Sequence, residues 1–556
     1  MMQAPSTNAL PRSPWLILSF LCIPVFIGSI DLTIISAILP EVMVSLGLPA
    51  ETRLDDAFWT ITGYLLAYTI SMVFVGRLSD IVGRRWMYIF CLILFMFGSY
   101  WVVTAQGWPT EWYTRLLREL NPDTRPPAEE VRALHMIIVG RVIQALGAGA
   151  VAPITMAMVA DLFPPAQRAR PIAVVGAIDT IGWVLGHLYG GIMVKFLGDN
   201  AQQIVDLAAS LGLSITPPDW RWLFWFNLVA GGFTLLAVLV TLRGIKQPRL
   251  KEPFDFLGTA FIVLALIGLN LGLGNASSEP PSSISDFQAV EPTSNPYALL
   301  LLALAGISFL LFLLVESRFK YPLFNLGLFR QRNVSAASLT NVGVGFCLTI
   351  GLVTMPILVN IRESQVDVAG IRNAALIAGL LLSGLTVPMA LAALPGAWVS
   401  DRYGYRFTTM LGMGLALAGF LLMGLTWRSE TSYWLMGFQM AITGVGLGLT
   451  ISPIGAAVIN AAQDSERGAA SAMVLALRLV GMTLALASLS DWAINRVNRL
   501  VGERAATALN PDSLYLVTTV EVVRELFLLG AVISVVTLVV AWGMRGGQYS
   551  QVTSAD

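Results

Sequence analysis

Four charged residues of this chain sit where no loop can hold them: Asp31, Arg141, Asp179 and Arg478 each interrupt a long apolar stretch. An ionised group at the centre of a membrane helix costs roughly 2.5–3.5 kcal/mol on insertion scales, so such residues pair, face a polar interior or carry function. A fifth polar group stands in "IGWVLGHLYGG", residues 181–191, where His187 lies among Gly182, Gly186, Gly190 and Gly191. Glycines four residues apart share one helix face, and a neighbouring helix can approach that face closely. Asp179 falls on it too, since seven residues to Gly186 is nearly two turns. The chain has one other histidine, His135.

The elements that position these groups follow from composition. Hydrophobic residues are 56% of the chain and charged residues 12%, about half the charged fraction of roughly 25% in soluble proteins. Apolar segments long enough to cross a bilayer begin near Trp15, Phe58, Met87, Met136, Ile172, Leu223, Phe256, Tyr297, Val334, Ala374, Thr408, Tyr433, Ala470 and Leu526. They predict an all-α, polytopic membrane protein of 14 transmembrane helices. An even number puts both termini on one side. With that side cytoplasmic, Lys and Arg are about twice as dense in the inner loops as in the outer ones, as expected of a multi-pass cell-membrane protein. The apolar run after residue 14 has no cleavage site, so the first helix is read as retained. Net charge is zero and no basic run occurs, which argues against a nucleic-acid partner. Cys22, Cys91 and Cys347 are spaced for neither zinc nor disulfides, and no metal or cofactor is expected.

The turn after the second span reads "GRLSDIVGRR", with Gly76, Asp80, Gly83, Arg84 and Arg85. Residues 401–406, "DRYGYR", repeat Asp-x-x-Gly-x-Arg with Asp401 and Arg406. Recurrence in corresponding inner loops indicates an internal duplication, the usual architecture of secondary transporters. With "GSIDLTIISAILP" (28–40), "GRVIQALGAGAVAP" (140–153), "WRWLFWFN" (220–227), "FDFLG" (254–258), Glu316 before "PLFNLGLFR" (322–330), and Arg478, the chain resembles the fourteen-helix drug:proton antiporters of the major facilitator superfamily, of the EmrB/QacA type. The resemblance runs from about residue 15 to 545.

It implies two six-helix halves, 15–242 and 334–545, with two extra central helices in 243–333 and cytoplasmic ends at 1–14 and 546–556. It implies alternating access, with the halves rocking about a central cavity. Asp31 and Arg141 become the proton-coupling residues; their depths agree within roughly a turn or two, so pairing is feasible. The Asp80 and Arg84 turn becomes a conformational latch docking on the inner end of the thirteenth span. Gly182, Gly186, Gly190 and Gly191 match the family's antiporter motif, with His187 in place of its proline, and become the seam between the halves. His187 is read as a hydrogen-bonding packing residue in preference to a proton carrier. Asp179 and Arg478 are the remaining intramembrane charges.

No phosphate-binding loop occurs, so transport runs on a gradient. The expected partners are protons, a small-molecule substrate and the bilayer; no motif speaks for or against a periplasmic adaptor. Proton-coupled efflux of cationic or amphipathic drugs is the leading expectation. The second is a facilitator or specific exporter of a metabolite, lipid or siderophore. A membrane-embedded enzyme comes last, because no inner loop carries a His, Asp, Glu or Cys cluster. The stretch 107–135 is read as a solvated spacer in preference to a short interfacial helix, and 275–296 as an outer linker.

Overall fold

The computed structural model describes residues 13–48, 50–123, 125–163, 169–243, 253–273, 297–320, 322, 326–363, 368–459, 461, 467–504 and 511–545. Among them every regular element is helical. The first half contains α1 (Pro14–Ser45), α2 (Ala50–Val82), α3 (Arg84–Thr104), α4 (Trp108–Leu120), α5 (Glu129–Ala148), α6 (Val151–Leu162), α7 (Ala169–Asp199), α8 (Ala201–Ser210) and α9 (Arg221–Thr241). Then come α10 (Phe256–Leu273) and α11 (Ala298–Arg318). The second half contains α12 (Arg332–Glu363), α13 (Val368–Thr426), α14 (Tyr433–Ile459), α15 (Arg467–Arg504) and α16 (Pro511–Trp542).

Among the described residues, twelve stretches are long and apolar enough to cross a membrane. One of them, Asn373–Thr426, is 54 residues long and folds back at Gly404, where φ is 86°. Met473–Leu489 of α15 is a shorter apolar run. Fourteen crossings are expected from sequence; the described residues hold twelve by length and hydropathy, and the difference lies in α13, merged across its kink, and in this shorter run.

Packing follows the duplication. In the first half α1 lies on α7 and α9, while α3 lies on α5 and α9. In the second, α12 packs on α15 and α16, and α13 on α14 and α16. The halves meet where α7 packs on α13 and α2 on α15. The extra pair, α10 and α11, pack on each other, with Phe312 of α11 buried beside Phe74 of α2. Leu299, Leu300, Ile307 and Leu310 of α11 remain exposed, as lipid-facing positions do. With lipid outside, helices cohere through close packing and interhelical hydrogen bonds rather than a net hydrophobic gain.

Two segments between the spans differ from expectation. Trp108–Leu120 is a helix rather than a spacer, opened by Pro109, with Glu111 in its first turn and Arg118 in its last. Those charges oppose the helix dipole at each end, which favours the helix. Its Trp108 stacks edge-on against Trp101 at 4.9 Å. A second short helix, α8, was not foreseen. The linker 275–296 lies outside the described residues.

Candidate functional site

The buried pair of the first half, Asp31 and Arg141, is gathered by five helices. Asp31 on α1 is 2% exposed and Arg141 on α5 is 0% exposed. The Arg141 guanidinium donates to Asp31 Oδ2 at 2.9 Å and to the Asp31 main-chain oxygen at 2.8 Å. Asn227 on α9 donates to Asp31 Oδ1 at 3.0 Å. Arg141 also donates to Gln144, whose amide donates to Ser99 on α3 at 2.8 Å. Tyr64 on α2 lays its ring under the guanidinium, 3.9 Å from the centroid, a cation–π contact strengthened by exclusion of water. Both carboxylate oxygens are thus satisfied inside the bundle. A carboxylate so held presents no open face to a cation.

Asp179 on α7 accepts from Ser29 of α1 at 2.5 Å. Arg478 on α15 donates to Asn341 of α12 at 3.2 Å. These two charges belong to different halves and attract one another without closing into an ion pair.

The glycines of α7 divide between two neighbours, which corrects the expectation of a single seam. A Cβ on Gly182 would stand 2.7 Å from the Phe26 carbonyl oxygen and 2.8 Å from Ser29 Cβ. One on Gly186 would overlap Thr33 Oγ1 and crowd the Ile30 carbonyl, and one on Gly190 would stand 2.8 Å from Ile34. All three therefore seat α1, within the same half. Only Gly191 meets the other half, with Ala375 O 2.6 Å from where its Cβ would be. Gly379 of α13 returns the contact against the His187 carbonyl. The physical reason is angular: successive residues on a helix differ by about 100°, so Gly191 cannot share the face of Gly190.

His187 is fully buried. Its Nδ1 lies 2.8 Å from Ser36 Oγ of α1, and its Nε2 has no hydrogen-bond partner. The ring lines a cavity of about 20 Å³ between the halves. Leu32, Ile61 and Leu65 wall it on one side, Leu352 and Met482 on the other. Thr33, Ser36 and Thr349 supply its remaining polar atoms, and no charged residue lines it.

The two turns share a backbone. Gly83 has φ 117° and Gly404 φ 86°, values open to glycine and strained for other residues. Gly76 of α2 packs beside Pro153 of α6. Arg84 bridges Asp80 at 2.9 Å and donates to Ala157 O of α6 at 2.8 Å. Arg85 donates to Leu239 O of α9 at 3.4 Å. In the second turn Asp401 is exposed, and Arg406 lies over the Trp542 ring at 4.4 Å. Docking of the first turn on the start of the thirteenth span falls where side chains 462–472 lie outside the described residues.

Sequence reasoning singled out the charges but missed their uncharged holders: Asn227, Ser29 and Asn341. Asn227 stood in a quoted motif, and its polarity inside an apolar span was the available signal. The cavity left no local signal, because its lining comes from five distant stretches.

Helices in two pseudo-equivalent sets, with polar groups and a small cavity at their junction, define a membrane transporter fold. The Major Facilitator Superfamily profile matches residues 21–364 and 366–551. The chain belongs to that superfamily. A triacylglyceride transporter of Mycobacteroides abscessus is 28% identical over 482 residues, covering 85% of this chain and 81% of that protein. A triacylglyceride transporter of Mycolicibacterium hassiacum is 29% identical over 503 residues, covering 88% and 80%. Among solved structures, a bacterial homologue of the human lysosomal transporter Spinster, inward-facing and unoccupied, gives a TM-score of 0.59 at 16% identity, covering 95% of this chain and 96% of that one. A D-xylose–proton symporter gives 0.55 at 13%, covering 94% and 97%. At those identities the likeness is one of fold.

Proposed function

We propose that this protein exports an uncharged, lipid-like molecule of the glyceride class across the cell membrane by alternating access. The observation that carries this reading is a cavity at the junction between the halves: its lining is largely apolar and free of charge, while Asp31, the residue before Leu32 of that lining, is held by Arg141 and Asn227. A cationic drug would want an open anion there, whereas an acyl glycerol wants apolar walls and a few uncharged polar atoms. The names of the similar mycobacterial proteins agree with this choice over drug efflux. The Asp80 and Arg84 turn serves as the conformational latch, and both termini stay in the cytoplasm.

Proton-driven exchange is a second reading, favoured by one feature: a carboxylate within the membrane beside an arginine that stabilises its ionised form. In it, protonation of Asp31 releases Arg141 and lets the halves move.

The deciding experiment uses proteoliposomes containing the full chain. Of a series of fluorescently labelled glycerides, at least one is expected to cross to acceptor vesicles, and ethidium is expected not to be pumped. Ethidium transport without glyceride transfer overturns the lipid reading. Glyceride transfer indifferent to an imposed pH gradient makes the protein a facilitator and removes the role of Asp31 in coupling.

A further inference from the structure

The cavity beside His187 offers hydrogen-bond acceptors and no donor. Ser36 has one hydroxyl proton, and Thr33 O, 2.8 Å from its Oγ, can only accept it. The same Oγ must then accept from His187 Nδ1 at 2.8 Å. Both contacts hold together only in the tautomer that carries its proton on Nδ1, which leaves Nε2 as a bare lone pair. The other hydroxyls have given up their protons as well. Thr33 donates to the Trp183 carbonyl at 3.1 Å, and Thr349 to the Gly345 carbonyl at 3.1 Å. Nε2 is buried without a partner, and leaving such an acceptor unsatisfied is costly enough to mark a vacant interaction.

We propose that this cavity is a hydroxyl-recognition site, in which His187 Nε2 accepts a hydrogen bond from the free hydroxyl of an uncharged lipid such as a partial glyceride. The inference rests on the lipid reading above and narrows it. About 20 Å³ is room for one hydroxyl-sized group, so the cavity seats the polar end while the acyl chains need the halves apart. A fully esterified glycerol brings only acceptor oxygens and would set them against the Nε2 lone pair. An ammonium group could donate, but no carboxylate lines the cavity to balance its charge. The site therefore selects for a donor without a charge.

The test is binding of two matched probes, 1,2-dioleoylglycerol and its 3-O-methyl ether, to the purified full chain in detergent, read as bound fraction by native mass spectrometry. The probes differ in a single hydrogen-bond donor. The wild-type protein is expected to favour the free hydroxyl by about tenfold, and His187→Leu to lose that preference. Equal binding of the two probes by the wild-type chain overturns the proposal whether or not the variant folds. So does a preference that survives in His187→Leu, and so does binding of neither probe, which would make the cavity a water site only. Transfer of the same lipids between vesicles is measured separately. A hydroxyl preference in binding with no transfer leaves the site standing and removes the transport reading instead.

Discussion

The turn between α2 and α3 and the turn inside α13 have the same backbone and different chemistry. Each is hinged on a glycine of positive φ, Gly83 or Gly404. In each, an arginine two residues beyond that glycine ties the turn to the last helix of its own half: Arg85 reaches Leu239 O on α9, and Arg406 covers Trp542 on α16. The difference lies one residue earlier. Arg84 bridges Asp80 and holds the Ala157 carbonyl, whereas the second turn has Tyr405 at that position and an exposed Asp401. Duplication has kept what the chain path needs, and the ion pair survives in one half only.

The interior repeats that asymmetry at higher stakes. The first half encloses a full ion pair, Asp31 with Arg141, while Arg478 in the second half is held by the neutral Asn341. Removing one partner of a buried pair strands the other, at a cost of about 3–5 kcal/mol. Arg141→Ala is therefore expected to have the largest effect of any change considered, a collapse of the melting temperature in detergent together with loss of transport. Asp31→Asn should be milder, because its amide oxygen still accepts from Arg141, and it should abolish any dependence of transport on a pH gradient. The double variant Asp31→Asn with Arg141→Gln should recover part of the stability lost in Arg141→Ala. In the matched cycle, Asp31→Asn with Arg141→Ala should be less damaging than its two single changes added together, and damage equal to that sum would mean that the pair is not coupled.

The glycines of α7 sharpen the comparison between contacts within a half and contacts across halves. Gly186→Ala drives a methyl into Thr33 and Ile30 of the same half, and overpacking of that kind costs about 1–3 kcal/mol. It should lower the melting temperature. Gly191→Ala instead presses on Ala375 across the junction, a contact that the proposed alternating access would have to part. It should slow transport with a smaller loss of stability. Gly455→Ala, whose methyl would meet nothing within 4 Å, is the control and should change neither. A Gly191 variant as unstable as the Gly186 variant would erase the distinction between the two faces.

That distinction also marks how far the sequence could be read. Span lengths, the repeated turn and the order of motifs carried the helical transporter fold, because each is written in contiguous residues. The spacing of Gly182, Gly186 and Gly190 disclosed a flat face but not which helix would cover it; the partner is fixed by tertiary packing, and it proved to be α1. Gly191 looked like one more member of the same stripe until its angular position sent it to α13. Asp31 and Arg141 stood out because charge is rare in apolar spans. Asn227, Ser29 and Asn341 did not, since uncharged polar residues are common there. The cavity was illegible for a geometric reason: Leu32, Leu65, His187, Thr349 and Met482 meet only once both halves are assembled.

Smaller effects return to the two turns. Arg84→Ala removes a partly buried ion pair and a bond to a helix carbonyl, for an expected loss of about 1 kcal/mol. Arg406→Ala removes a cation–π contact on an exposed Trp542, for about 0.5 kcal/mol. Melting temperatures of the two variants should fall in that order. The reverse order would mean that the second turn, not the first, is the firmer anchor of its half.

The smallest expected effect comes from rebuilding the missing pair. Tyr405→Arg restores Asp-x-x-Gly-Arg to the second turn and places a guanidinium four residues from Asp401, the same separation that lets Arg84 bridge Asp80. A new pair on an exposed face gains a few tenths of a kcal/mol. Tyr405 also packs against the core, so its removal offsets much of that gain, and the net change in melting temperature should be close to zero. Salt separates the two contributions, because it screens the pair and leaves the packing loss in place. The variant should therefore melt nearer the wild type in low salt than in 1 M NaCl. If the difference between variant and wild type is the same at both salt concentrations, no pair has formed, and the unequal turns reflect something other than the identity of the residue after the glycine.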